Sequence, residues 1–146
     1  MPYHEQSHEI HTLFKSLMKK VGDAWNRDND TGLSVTHYRM LHALVQKGKQ
    51  KVAELAECLQ VTPGAVTGLA DKLIERGYVV RNRDQDDRRV VYLAVTPQGR
   101  TLKDAMEEKH QALYGRLFEQ LPETDIAHLK RIFGQMIDAV NRIEKE

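Results

Sequence analysis

Residues 83–89 read Arg-Asp-Gln-Asp-Asp-Arg-Arg, three guanidinium groups and three carboxylates in seven positions. Arg83, Arg88 and Arg89 suit phosphate oxygens or a narrow minor groove. Asp84, Asp86 and Asp87 argue against a plain cationic patch, and one of them is expected to hold an arginine through a forked ion pair. Upstream, residues 62–70 carry no charge at all. Thr62, Pro63, Gly64, Thr67 and Gly68 are small, and Lys72 follows as a phosphate candidate. A helix with so little bulk on one face can approach a groove closely, which reading base edges requires. Nothing in the chain points to catalysis. There is no glycine-rich phosphate loop, nucleophile elbow, HExxH or clustered carboxylate pair.

These residues need a helix and a hairpin to position them. Thr62 reads as an N-cap and Pro63 as the first helical residue, where a missing N–H costs nothing. Val66, Leu69, Leu73 and Ile74 give the buried face, and Gly77 the left-handed C-terminal cap. Residues 78–82 and 89–95 are rich in β-branched and aromatic types and read as two strands around the charged turn. Val91, Leu93 and Val95 alternate toward one face. Before them, a helix capped by Ser34 buries Tyr38, Leu41, Leu44 and Val45 and ends at Lys47-Gly48-Lys49. A short helix over residues 51–60 buries Val52, Leu55, Ala56 and Leu59, with Val61 as the turn into the next.

At the ends, a helix from His4 to about Arg27 carries Ile10, Leu13, Phe14, Leu17, Met18, Val21 and Trp25 at helical spacing. Asp28-Asn29-Asp30-Thr31-Gly32 ends it. A fifth helix runs from Gln98 to about Gln120, its apolar side made by Leu102, Ala105, Met106, Leu113, Leu117 and Phe118. After Leu121-Pro122-Glu123 the last helix carries Ile126, Leu129, Ile132, Phe133, Met136, Ile137, Val140 and Ile143. These outer stripes are too wide for the edge of so small a core. Packing against a second copy is the simplest way to bury Ile10, Leu13, Phe14, Leu17, Ile132, Phe133, Met136, Ile137 and Val140.

The order helix, glycine, hairpin, then Asp87-Arg88-Arg89 and Leu93-Ala94-Val95-Thr96-Pro97-Gln98-Gly99 resembles the MarR family of bacterial winged helix-turn-helix regulators. Their wing pattern is Asp-x-Arg, a short hydrophobic strand, a Leu-x-Leu-Thr-like run, two residues and Gly. Asp87, Arg89, Leu93, Thr96 and Gly99 match it, and Val95 stands where Leu is commoner. The resemblance implies a mainly α fold with a small β-hairpin wing. It implies one MarR-type domain over 1–146, with a winged helix-turn-helix lobe at 34–96 and dimerisation helices at 1–32 and 97–146. It also implies a homodimer on double-stranded DNA, most simply a repressor released from a pseudo-palindromic operator by a small-molecule effector. Thr62, Pro63, Gly64, Thr67, Gly68 and Lys72 would meet the major groove and its phosphates. Arg89 would enter the minor groove, oriented by Asp87, with Arg83 and Arg88 on phosphates. Many members carry Arg where this chain has Gly68.

Composition bounds this reading. The chain has 146 residues, one domain's worth, and a net charge of +1, so any attraction to DNA has to be local. Residues 34–96 hold ten Lys and Arg against seven Asp and Glu, a mildly basic middle between mildly acidic ends. No apolar run approaches membrane-spanning length and no leader precedes a cleavage site, so a cytoplasmic protein without membrane contact is expected. The single cysteine, Cys58, fits a reducing compartment and has no basic neighbour in sequence, so an inert thiol is expected. His4, His8 and His11 share a helical face, but the expectation is a solvated surface and no metal or cofactor. Two other readings stand beside the first. One is a winged-helix dimer serving as a protein-interaction module without DNA binding, suggested by the balanced wing charge and Gly68. The other is a redox- or metal-responsive regulator.

Overall fold

The computed structural model describes residues 5–27 and 30–146, so His4, Asp28 and Asn29 lie outside the described residues. The chain forms two compact units, residues 1–108 and 109–146. It is mainly helical, with one small antiparallel sheet.

In the first unit, α1 (Glu5–Arg27) is followed by α2 (Val35–Lys47), β1 (Gln50–Lys51), α3 (Val52–Leu59) and α4 (Pro63–Glu75). The wing strands β2 (Val79–Arg83) and β3 (Val91–Val95) come next, then α5 (Pro97–Phe118), which begins in this unit. The core is where the helical spacing places it. Leu41, Leu44, Leu55, Val66 and Leu73 are fully buried, joined by Leu33, Met40, Val79 and Leu93. The turn between α3 and α4 is made by Gln60, left-handed at φ 58°, and closed by the Val61 N–H donating to the Ala56 carbonyl at 3.0 Å. Gly77 ends α4 at φ 82°, where the left-handed cap was expected.

Three features depart from the sequence expectation. The hairpin is a three-stranded sheet of order β1-β3-β2, because Gln50 and Lys51 pair with Leu93 and Tyr92. Lys51, expected inside the third helix, is instead the last strand residue and the N-cap of α3. Two residues are too few to show a period, and Lys-Gln-Lys has no strand composition. Second, α5 buries Gly99, Lys103 and Met106. The Lys103 ammonium is tolerated because Glu107, one turn on, accepts its proton at 2.8 Å, with Asp104 at 3.6 Å. The Glu107 hydrogen bond raises the Lys103 pKa, against the opposing pull of burial.

The third is His37. It completes a capping box at the start of α2: its N–H donates to Ser34 Oγ, and its Nδ1 accepts from the Ser34 N–H at 2.9 Å. Burial first, then the charges of Lys72 and Arg76, lower the His37 pKa below its ordinary 6.5. The fold therefore favours neutral imidazole, while the unfolded chain takes up the proton near pH 6.5. This contribution to stability is present above that pH and is lost as the pH falls below it. A glutamine can fill the same box without titrating. Urea melts at pH 7.5 and 5.5 should show the wild type losing more stability than His37→Gln; equal losses would remove His37 as the cause.

In the second unit, residues 109–146, the remainder of α5 ends where the Leu121 N–H donates to the Phe118 carbonyl at 3.0 Å. His110, Tyr114 and Phe118 line one side of it a turn apart, the first two rings tilted and the last two stacked. The helix α6 (Glu123–Glu144) starts after Pro122 and has no buried residue.

The outer stripes are exposed in the single chain. On α1, Ile10, Leu13, Phe14 and Leu17 all stand open to solvent, Phe14 at 46 %. On α6, Ile132, Phe133, Met136, Ile137 and Val140 do the same, Ile137 at 61 %. Continuous apolar exposure of this kind marks an interaction surface.

Candidate nucleic-acid interface

The start of α4 is built as its sequence suggests. Thr62 Oγ1 accepts from the Ala65 N–H at 3.1 Å, and Pro63 takes the first helical position. Pro63, Gly64, Thr67 and Gly68 are all exposed. Neither glycine is imposed by packing. A Cβ on Gly68 would meet nothing within 4 Å, and one on Gly64 would find only Thr62 Oγ1 at 4.0 Å. Their absence of side chain therefore serves the outside of the helix, keeping it low. Thr67 donates its hydroxyl to the Pro63 carbonyl at 3.1 Å, which leaves the oxygen as an acceptor toward solvent.

The charged residues further along α4 are occupied within the protein. Asp71 pairs with Arg81 Nη2 at 2.9 Å, which neutralises the first carboxylate of the helix and ties β2 to it. Lys72 donates to the Gly32 carbonyl at 3.1 Å, and Arg76 Nη1 donates to the Thr31 carbonyl. Lys72 is thus first an anchor for the segment after α1. Neither the Arg81 pair nor the Arg76 bond was legible in sequence, since the partners are ten and 45 residues apart.

The wing tip is a tight, internally bonded turn. The Asp84 N–H donates to the Val90 carbonyl at 2.9 Å, and Asp84 Oδ2 accepts from the Asp87 N–H at 3.2 Å. Arg83 donates to the Arg88 carbonyl at 2.9 Å, so it braces the tip as well as charging it. Arg89 and Asp87 make the forked pair: Nε to Oδ1 at 3.1 Å and Nη2 to Oδ2 at 3.2 Å. Asp87 Oδ1 also accepts from the Arg89 backbone N–H. These bonds from Arg89, with the nearby charge of Lys51, hold the Asp87 carboxyl below its ordinary pKa. The Arg89 side chain is nevertheless 91 % exposed, oriented but open to a ligand. Arg88 is exposed beside it.

Three residues named outside the interface also find their places. Cys58 is half-buried, and Lys47 Nζ lies 3.5 Å from its sulfur, so the basic neighbour missing from the sequence is present in space. His8 and His11 are exposed on α1, and among the described residues no group of three or more His, Cys, Asp or Glu is placed to hold a metal ion. No described helix is long and apolar enough to cross a membrane.

Comparison with known proteins gives this geometry a setting. A sequence model of the MarR family matches residues 31–90, the stretch from the end of the α1–α2 segment to the wing. A transcriptional regulator of the MarR family from Rhodococcus sp. RHA1 has a solved structure that is 30% identical. It superposes with a TM-score of 0.76 over 91% of this chain and 95% of that one. The transcriptional repressor MdtR of Bacillus subtilis (strain 168) is 26% identical over 94% of this chain and 86% of its own length. Streptococcus pneumoniae FabT, solved in complex with DNA, is 21% identical and shares the fold, with a TM-score of 0.78 over 93% of this chain and 98% of that one. With its wing motif, its helix-turn-helix and these relatives in agreement, the chain belongs to the MarR family of winged helix-turn-helix transcriptional regulators.

Proposed function

We propose that the protein is a dimeric repressor that reads a pseudo-palindromic operator through α4 and the wing and leaves it when a small-molecule effector binds. The observation that carries this reading is the start of α4, low and free of charge, with two glycines that internal packing does not require. Thr67 and the Pro63-Gly64 backbone face the bases, Thr62 a phosphate, and Arg89 the minor groove, with Arg83 and Arg88 on the backbone. Lys72 adds charge beside the groove while anchored on Gly32. The lobe at 34–96 carries the DNA-facing parts, and the helices at 1–32 and 97–146 make the dimer. Support for the dimer comes from the apolar stripes of α1 and α6, left open in the single chain. The name of MdtR supports repression, and the DNA complex of FabT supports DNA as the partner.

A two-fold dimer must place its two α4 helices about one turn of DNA apart, roughly 34 Å. An effector that favours another separation releases DNA by population shift. Anisotropy of the protein on DNA from upstream of its own gene, against a scrambled duplex, tests the first half. Sequence-selective binding in the nanomolar range is expected. Ile137→Glu tests the dimer: it changes an exposed residue of one chain, so a folded monomer with lost operator binding is expected in sedimentation. A variant that stays dimeric would take α6 out of the interface. The three wing carboxylates favour a second reading, a protein-interaction module; weak binding indifferent to sequence would select it.

A further inference from the structure

The third strand brings two more cations to the wing sheet. Gln50 pairs with Leu93 and is buried with it, so the alternation of β1 turns Lys51 to the opposite, outer face. There Lys51 stands across from Tyr92, which stands across from Asn82. This row contains no carboxylate. Lys49 is exposed, and its ammonium lies 4.7 Å from the centroid of the Tyr92 ring, a cation–π contact that holds the side chain beside the row. Lys51 is exposed at the N-cap of α3, and its charge is felt by Asp87 at the wing tip. Asp87 is already bonded to Arg89, so it competes weakly for this second cation.

We propose that Lys49 and Lys51 form a second phosphate-binding row, which grips the DNA backbone beside the groove that Arg89 enters. The proposal rests on the DNA-binding reading given above and extends it to a surface outside both α4 and the wing tip. An ammonium group is a point charge without the fork that reads a base edge. The row therefore adds affinity without adding sequence preference. It also supplies cations lacking from a wing tip, residues 83–89, whose arginines are matched in number by aspartates.

The test is a salt titration of the full-length protein on a random-sequence duplex and on the duplex from upstream of its gene. Each lost phosphate contact lowers the slope of log affinity against log salt by about 0.9. Each dimer carries the row twice, so Lys51→Gln should lower it by about 1.8 and the double variant with Lys49→Gln by up to about 3.6. Affinity for the two duplexes should fall by the same factor. Lys51→Arg, which keeps the charge, should keep the wild-type slope, as should Lys20→Gln on the exposed face of α1. A steep wild-type slope that the double variant reproduces overturns the lysine row and leaves the regulator standing. An equal drop in Lys51→Arg and Lys51→Gln also overturns it, because charge would not be what was lost. A shallow wild-type slope on both duplexes overturns the DNA-binding reading, and the row with it.

Discussion

Arg89→Ala is expected to weaken operator binding by roughly 1–3 kcal/mol, about fivefold to 150-fold, while leaving the fold intact. The side chain is 91 % exposed and, among the described residues, makes its hydrogen bonds with Asp87, so its loss opens no cavity. What disappears is a guanidinium held in one orientation before DNA arrives, which lowers the ordering cost of binding. Asp87→Asn separates orientation from charge. It keeps Arg89 but weakens the fork, and so should fall between wild type and Arg89→Ala on the operator. Anisotropy at moderate salt reads both. A change below about 0.3 kcal/mol for Arg89→Ala, well under the contribution of a base-reading arginine, would remove Arg89 from the interface.

Gly99→Ala is expected to be the most destabilising small substitution in the chain. A Cβ there would run into the carbonyl oxygen of Tyr78 and lie 2.7 Å from Val95 Cγ2. The carbonyl cannot swing away freely, because it accepts the Thr96 N–H at 3.0 Å. Thr96 is fixed in turn: its Oγ1 donates to the Gly77 carbonyl at 2.7 Å and accepts from the Gly99 N–H at 3.0 Å. Overpacking against backbone falls at the upper end of the usual range, about 3 kcal/mol, which lowers the melting temperature by roughly 6–12 °C. Gly68→Ala is the contrast. Its Cβ meets open space in a helix, so stability should rise by up to about 1 kcal/mol. Equal melting temperatures for Gly99→Ala and wild type would refute the close approach.

The Thr96–Gly99 knot shows what the sequence could disclose and what it could not. Thr, Pro and Gly at these positions announced a helix start, and the family resemblance marked Thr96 and Gly99. The reason for Gly99 lies in the Tyr78 carbonyl, 21 residues back, which spacing does not reveal. The same division runs through the fold. Helices with a clear period, from α2 to α6, stand where their apolar positions put them, within a residue or two at their ends. β1 was invisible because two residues carry no period. Lys103 was hidden because its partner Glu107 makes an ordinary surface pair in sequence and a buried one in space. At the candidate interface, the small face of α4 and the Asp87–Arg89 fork were readable from neighbouring residues. The Asp71–Arg81 pair, the anchoring of Lys72 and the Lys47–Cys58 contact join separate elements and were not.

The bonds from Lys72 to Gly32 and from Arg76 to Thr31 have a mechanical consequence. Gly32, left-handed at φ 71°, and Leu33, buried and held by its N–H to Thr31 Oγ1 at 3.1 Å, give that segment little slack. The latter half of α4 is thus riveted to the stretch leading out of α1. A displacement of residues 31–33 therefore reaches the second half of α4 directly through these two bonds.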